Sequence, residues 1–295
     1  MPQARPKPSE IAAEAKRTYM PLILRNHIKN AVTSYFYPDA SAIKINPEKR
    51  TQQRPRVAVF EGDPVDYALG WYQQVYASTD PSIRIPVVNM ANEKRAGGDW
   101  ESGLMAPEEC FARRSNLVQA LTMPWNQNQQ PATPDHFYPI PQTGGIYSPE
   151  VYVFRRGPEH NYAIFPEFKS LPVISVAPVR RPKLDETGTS YSFTQEKELM
   201  KEKMRTVLRI AAYCGHTAIC LGAFGVGPIF RNPVVEVARM WRRLLFEEEE
   251  FHGAFTDVVF AVENSPAGNA ARGGLSDVDV FREEFAASTL FPTRY

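Results

Sequence analysis

The 295-residue sequence predicts an α/β domain built on a largely parallel sheet. Three observations carry that reading. Short apolar runs at 57–60, 85–89, 218–221 and 258–262 alternate with longer stretches of helical periodicity. Two glycine turns, Gly97-Gly98 and Gly222-Ala223-Phe224-Gly225-Val226-Gly227, each follow one of those runs. The composition, 43% hydrophobic and 23% charged, is that of a chain able to bury a core. Ligands of parallel sheets sit beyond the carboxyl ends of strands, so glycine turns in those places mark a candidate site.

Each element follows from local pattern. Residues 1–8 read as an arm. Ser9 is an N-cap for a helix reaching Leu24, with Ile11, Ala12, Ala15, Tyr19 and Leu22 on one side. Residues 36–55 are polar and proline-bearing and read as a connection. Val57–Phe60 is a strand, and Asp63–Val75 a helix with Pro64 at its first position. Ile85–Asn89 is the next strand, entering the first glycine turn. Pro107 to Leu121 reads as one helix, and 122–145 as a long loop rich in proline, glutamine and asparagine. Val151–Phe154 and Val173–Ala177 are strands, with an extended piece at Tyr162–Phe165. Ser192 and Gln195 form a capping box for a helix ending at Tyr213, stopped by Gly215. Ala218–Leu221 is a strand. Asn232 and Pro233 cap and open a helix whose stripe is Val234, Val237, Ala238, Trp241, Leu244 and Leu245. Val258–Val262 is the last strand.

Composition excludes several classes. A net charge of +1 gives no general polyanion-binding surface, so anion binding must be local. Cys110, Cys214 and Cys220 have no metal-ligand spacing and point to a reducing compartment. No secretory leader or membrane-length apolar run is visible, so the expected location is intracellular, cytoplasmic or nuclear. The five histidines, His27, His136, His160, His216 and His252, show no zinc spacing, and no G-x-S-x-G elbow is present. His216 reads as a helix-terminal residue, Glu247–Glu250 as a solvated helix end, Lys201–Arg205 as an exposed face, and Arg113 and Arg114 as surface residues in preference to phosphate ligands. The later glycine loop is G-x-x-G-x-G, which is neither the dinucleotide fingerprint nor a Walker loop. A nicotinamide-dependent oxidoreductase therefore has little support.

Chemistry concentrates at Glu108 and Glu109, which Pro107 places in the first turn of a helix. The helix dipole favours their ionised forms, while burial and mutual repulsion favour a proton on one of them. Such a pair can divide its duties. One carboxylate holds ligand hydroxyls and the other protonates a leaving oxygen, as glycoside hydrolysis requires. Acidic residues in a first turn also occur simply because they suit the dipole.

Taken in order, the blocks resemble the microbial-type poly(ADP-ribose) glycohydrolases of the macrodomain superfamily. They are the helix around Ile11-Ala12-Ala15, Asn89-Met90-Ala91-Asn92 before Gly97-Gly98, and Gly103 with Pro107-Glu108-Glu109. Further on come Gly145-Ile146-Tyr147-Ser148-Pro149-Glu150-Val151, Leu221 to Gly227 with Phe230-Arg231-Asn232-Pro233, and Val259-Phe260-Ala261-Val262. The resemblance implies a macrodomain-like three-layer α/β/α sandwich with a mixed, largely parallel sheet. An N-terminal arm and helical extension (1–55) would pack on a catalytic domain (56–295). It implies Glu109 as general acid on the ribose–ribose bond, Glu108 holding distal ribose hydroxyls, and Asn92 contacting that ribose. Gly97 and Gly98 would shape the cradle. Gly225, Val226 and Gly227 would donate backbone hydrogen bonds to the diphosphate, Phe230 would pack near the distal ribose, Asp63 would meet the adenine amino group, and Phe281 would stack on adenine. The family's signature is three glycines, a spacer, then Gln-Glu-Glu. Here Asp99 stands for the third glycine and Pro107 for the glutamine. Aspartate tolerates positive φ better than most residues, so the turn is expected to survive, with Asp99 near the ligand. The implied partners are ADP-ribose, its polymer and ADP-ribosylated proteins. No metal, cofactor, membrane or sequence-specific nucleic acid is implied, and the chain is expected to be a monomer. Two alternatives stay open: an ADP-ribose reader without turnover, and a hydrolase of mono-ADP-ribosylated substrates.

Overall fold

The computed structural model describes residues 6–26, 33–46, 50–51, 53–122, 137–264 and 275–291. The chain divides into two compact units, Met1–Asp39 with Asn89–Ala177, and Ala40–Val88 with Pro178–Tyr295. His27, His136 and most of the loop expected at 122–145 lie outside the described residues.

In the first unit, helix α1 (Pro8–Glu14) passes through a π turn (Ala15–Tyr19) into α2 (Met20–Asn26). Pro8 opens the helix in place of Ser9, because proline at the first helical position gives up no amide bond. The stripe Ile11, Ala12, Ala15 and Tyr19 is buried, but Ile23 takes the buried place expected of Leu22. A π turn inserts one residue and so advances the helix phase. Tyr19 stacks on Phe154 at 4.7 Å, and Ala112 and Trp100 complete the same cluster.

Strand β1 (Tyr35–Tyr37) lies in the stretch read as a connection and pairs antiparallel with β4 (Gly145–Arg155). Two strands, β2 (Arg56–Glu61) and β3 (Val87–Met90), precede β4 in the chain. Strand β4 pairs antiparallel with β5 (Ile164–Val176). The apolar runs understate both strands: polar Lys169 lies outside them, yet it pairs with Val153 in the ladder. Within this unit the Ala91 amide, just past β3, donates to Val176 O at 3.1 Å.

The helix expected from Pro107 to Leu121 is two, α4 (Pro107–Arg113) and α5 (Leu117–Thr122). They separate because 114–116 turn to the edge of β4. Ser115 bridges Val153, the Asn116 amide donates to Tyr152 O, and Asn116 Oδ1 accepts from the Tyr152 amide at 2.7 Å. Arg113 and Arg114 are fully buried, contrary to the surface placement expected of them.

The second unit carries the parallel ladder. The order is β3-β6-β7-β2, with β6 at Ala218–Leu221 and β7 at Asp257–Val262. Helix α3 (Pro64–Trp71) continues as a π turn (Tyr72–Tyr76). Helix α6 (Thr194–Tyr213) starts without the expected capping box: Phe193 is its N-cap, and the Ser192 amide is held by Lys183 O at 2.8 Å. Gly215 stops it in the left-handed conformation, φ +84°. Helix α7 (Val234–Phe246) buries its whole expected stripe. Its N-cap is Pro233, since the Asn232 side-chain amide is spent on Val179 O and Gly225 O. Trp241 meets Phe260, which also packs against Phe281 of a C-terminal helix, α8 (Asp277–Glu284), and against its C-cap Phe285; α9 (Ala287–Leu290) follows. Ser276 caps α8 with a reciprocal box to Asp279 that the sequence reading missed.

The acidic run is not a solvated helix end. Glu248 takes Arg205 (2.8 and 2.9 Å) and Lys201 (2.5 Å), and Glu250 takes Arg209 (2.5 and 3.0 Å). Lys201–Arg205 is accordingly not a free face, and Lys203 is buried. His216 is a buried structural residue whose Nδ1 meets Arg84 O at 3.0 Å, and burial pushes its pKa down to about 4. Among the described residues no helix is long and apolar enough to cross a membrane, and no metal-ligand cluster forms. All three cysteines are free thiols.

Candidate active site

The first unit gathers Asn92, Gly97, Gly98, Asp99, Glu108 and Glu109. Strand β3 ends at Met90, and the chain then folds on itself. Asn92 Oδ1 accepts from the Lys94 amide at 2.9 Å, a local turn that sends the backbone back toward α4. Gly97 and Gly98 follow in the left-handed region, φ +73° and +56°. A Cβ on Gly98 would lie 2.4 Å from Glu109 Oε1 and 3.3 Å from Glu108 Oε2. Only glycine lets the backbone pass this close to both carboxylates.

Helix α4 presents the two acids. Ala106 is its N-cap and Pro107 its first residue, so Glu108 and Glu109 sit in the first turn, both buried at 4% and 7% exposure. Glu108 accepts three N–H donors. The Asn92 amide reaches Oε2 at 2.7 Å, and the Gly97 amide (3.2 Å) and Asn89 Nδ2 (3.3 Å) reach Oε1. Glu109 Oε1 accepts from the Asp99 amide at 3.1 Å. Adjacent in sequence, the two carboxylates thus face different surroundings.

Burial pushes the Glu108 carboxyl up to about 8, with the charge of Glu109 adding to it and the three donors opposing it. A neutral Glu108 carries an O–H that needs an acceptor. Among the described residues, two buried polar atoms beside it, Asn89 Oδ1 and the Tyr138 hydroxyl, have no hydrogen-bond partner. Tyr138 is itself held well above the ordinary tyrosine range, first by burial and then by the charge of Glu108.

Asp99 is not in the left-handed region, so tolerance of positive φ is not what admits it here. Its carboxylate pairs with Arg95 four residues back, both side chains about half exposed. Arg113 ties the following loop together from within, donating to Trp100 O (2.9 Å), Ser102 O (3.3 Å) and Leu104 O. Sequence reasoning assigned no role to Asn89 and no place to Tyr138. A lone asparagine ending an apolar strand was a usable signal for the first. Nothing in the proline-rich stretch marked the second.

The second unit holds the other expected residues. Asp63 is the N-cap of α3, its Oδ1 accepting from the Val65 (2.8 Å) and Asp66 (3.0 Å) amides. Gly222 adjoins Pro64, which brings the glycine loop and Asp63 to the carboxyl ends of β6 and β2. Two expectations fail here. The Val226 amide is engaged inside the loop, donating to Ala223 O at 2.9 Å, so it is not a spare diphosphate donor. Phe281 is fully buried against Phe260, a core residue rather than a stacking surface for adenine. Gly225 and Gly227 are left-handed, φ +73° and +100°, and a Cβ on Gly227 would meet open space. Phe230 is half-buried.

A glycine turn after a strand, packed on a buried glutamate pair, and a second glycine loop at the ends of parallel strands define a macrodomain-like α/β domain. Residues 12–156 match the family model described as microbial-type PARG, catalytic domain. The fold is that of the bacterial enzymes. Poly(ADP-ribose) glycohydrolase from Thermomonospora curvata superposes with a TM-score of 0.72 at 22% identity, covering 94% of this chain and 99% of that one. Its complex with the inhibitor ADP-HPD gives 0.70 at 23% identity, with the same coverage. The Deinococcus radiodurans enzyme in complex with ADP-ribose gives 0.65 at 23% identity, covering 92% of this chain and 98% of that one. No curated protein sequence matches the chain.

Proposed function

We propose that this chain is a poly(ADP-ribose) glycohydrolase that cuts ribose–ribose bonds and releases ADP-ribose, with Glu109 as the general acid. The observation that carries the division of roles is the unequal surroundings of the two glutamates. Glu108 is fixed by three N–H donors, which suits a group that holds ribose hydroxyls in one place. Among the described residues Glu109 has a single N–H donor, on Oε1, which leaves its carboxyl able to face a leaving oxygen. The family match over residues 12–156 and the ADP-ribose complex of the Deinococcus relative support the substrate class.

In the reaction, Glu109 takes up a proton as substrate binds and donates it to the oxygen that bridges two riboses as the glycosidic bond breaks. Positive charge develops on the distal ribose ring, and water adds to that carbon. The water's proton returns to Glu109, restoring the acid. Gly98 keeps the backbone close against both carboxylates, and the Asp99 amide holds Glu109 in place.

The test is release of ADP-ribose from poly(ADP-ribose) by wild type and Glu109→Ala, with ADP-ribose binding measured by calorimetry. A positioned general acid contributes roughly 100- to 10,000-fold, so the variant should bind ADP-ribose and release almost none from polymer. Equal release by both proteins would remove Glu109 from the chemistry. Absence of ADP-ribose binding by wild type would remove the substrate class.

A further inference from the structure

The sequence as a whole gives no general polyanion surface, yet one place in the second unit concentrates positive charge. Arg180 and Arg181 follow β5, and Arg231 follows the glycine loop; all three are exposed. The Arg181 amide donates to Phe230 O at 2.6 Å, which sets Arg181 directly beside Arg231 on two neighbouring loops. Among the described residues none of the three is ion-paired with a carboxylate. The Arg231 guanidinium donates from Nε to Pro228 O at 3.2 Å.

The backbone makes the arrangement more unusual. Arg181 and Arg231 are both left-handed, φ +52° and +61°. Long side chains disfavour that region, and glycine or asparagine would occupy it more readily. Two neighbouring arginines therefore accept backbone strain, and among the described residues neither has a carboxylate to offset its charge. A bound phosphate would offset their charge, guanidinium groups suit its oxygens in particular, and strained backbone is often retained where a ligand is held. The same loop pair carries Gly227, whose φ of +100° opens onto free space.

We propose that Arg180, Arg181 and Arg231 form a phosphate subsite for a further unit of poly(ADP-ribose), so that this chain holds polymer in preference to a single ADP-ribose. The inference rests on the glycohydrolase reading and deepens it by assigning residues to the polymer beyond its terminal unit. A diphosphate recurs in every unit of the polymer, so a chain lying across the loop presents anions where a single ADP-ribose has none left to offer.

The test compares wild type with Arg181→Gly/Arg231→Gly, and with Arg181→Asn/Arg231→Asn as a second pair that also tolerates the left-handed backbone. Affinities for ADP-ribose and for poly(ADP-ribose) of defined length are measured across a salt series. The expected result is at least about a fivefold fall in the ratio of polymer to monomer affinity, with a melting temperature that holds or rises as strain is relieved. The slope of log affinity against log salt should flatten by about 1.4, roughly 0.7 for each lost phosphate contact on a single strand. An unchanged ratio in both variants overturns the subsite. So does single-stranded DNA of equal charge that binds wild type as tightly as polymer does and weakens equally in the variants, which would make the patch a general polyanion surface. Wild type that binds no ADP-ribose at all would instead overturn the glycohydrolase reading, and the subsite with it.

Discussion

Glu108→Gln isolates the cost of the buried acid. Wild-type Glu108 is lifted from 4.5 to about 8 by burial, with the adjacent Glu109 charge adding to the effect. Between those values the folded protein keeps a proton that the unfolded chain has released. Stability therefore falls as pH rises through that window and levels off above about 8. At 1.36 kcal/mol per pH unit, the loss between pH 5 and pH 9 is at most about 4 kcal/mol. Local relaxation and water entry reduce it, so about 2–4 kcal/mol is the working range. Glutamine keeps the volume and carries no charge at any pH. It places an N–H₂ where two or three donors already converge, so it lowers stability by about 1–3 kcal/mol at every pH. The assay is urea unfolding of wild type and variant at pH 5, 7 and 9, taken as a difference so that other titrations cancel. The wild-type advantage at pH 5 should shrink or reverse by pH 9. Parallel curves, with a difference that moves by less than about 1 kcal/mol between pH 5 and 9, would refute a proton held on Glu108.

Other substitutions probe the same scaffold. Gly98→Ala puts a Cβ 2.4 Å from Glu109 Oε1 on a left-handed backbone, so activity should fall at least about 100-fold with a stability loss of about 1–3 kcal/mol, read from kcat and thermal melts. Arg113→Met keeps the buried stem but leaves the carbonyls of Trp100, Ser102 and Leu104 without their donor. A loss of about 2–4 kcal/mol in denaturant unfolding is expected, and a loss under about 0.5 kcal/mol would deny it a structural role. Asp99→Gly removes a half-exposed ion pair at a position that does not need positive φ. Stability should fall by no more than about 1 kcal/mol, because the amide that holds Glu109 is backbone.

The parallel ladder was legible because its strands are short, apolar and bounded by turns: Ala218–Leu221 is read to the residue, and α7 buries the stripe its periodicity announces. What the sequence hid was decided by contacts distant along the chain. Tyr35–Tyr37 becomes a strand only because β4 lies beside it, and α4 and α5 separate only because 114–116 find the β4 edge. The same holds for charge. Arg113, Arg114 and the Glu247–Glu250 run look like solvent-facing residues until carbonyls and arginines far off in sequence supply partners. In the site, the glutamates and glycines were legible because their chemistry and conformation are local. Tyr138 was not, since its place beside Glu108 depends on Phe137 and Ile140 anchoring a segment with no pattern of its own. Phe137 packs on Phe36, and the Ile140 amide donates to Glu93 O at 2.8 Å.

The two departures from the family's signature can be weighed on backbone alone. At the third glycine position the chain is not left-handed, so the turn is closed by Gly97 and Gly98 and a side chain at 99 meets no conformational penalty. What that position must supply is an amide for Glu109, and Asp99 supplies it at 3.1 Å. Its carboxylate would otherwise add a third negative charge beside two acids. Arg95 pairs with it and offsets that charge. At the glutamine position Pro107 is the first residue of α4, where an amide would have no intrahelical acceptor to lose, and the first helical bond, Cys110 to Ala106, forms at 2.8 Å without it. Both replacements fall where the main chain had no need of the family's residue. The main-chain and charge requirements of the glutamate pair are met by the residues actually present, so changes in substrate preference would come from side chains at 99 and 107 rather than from a displaced acid.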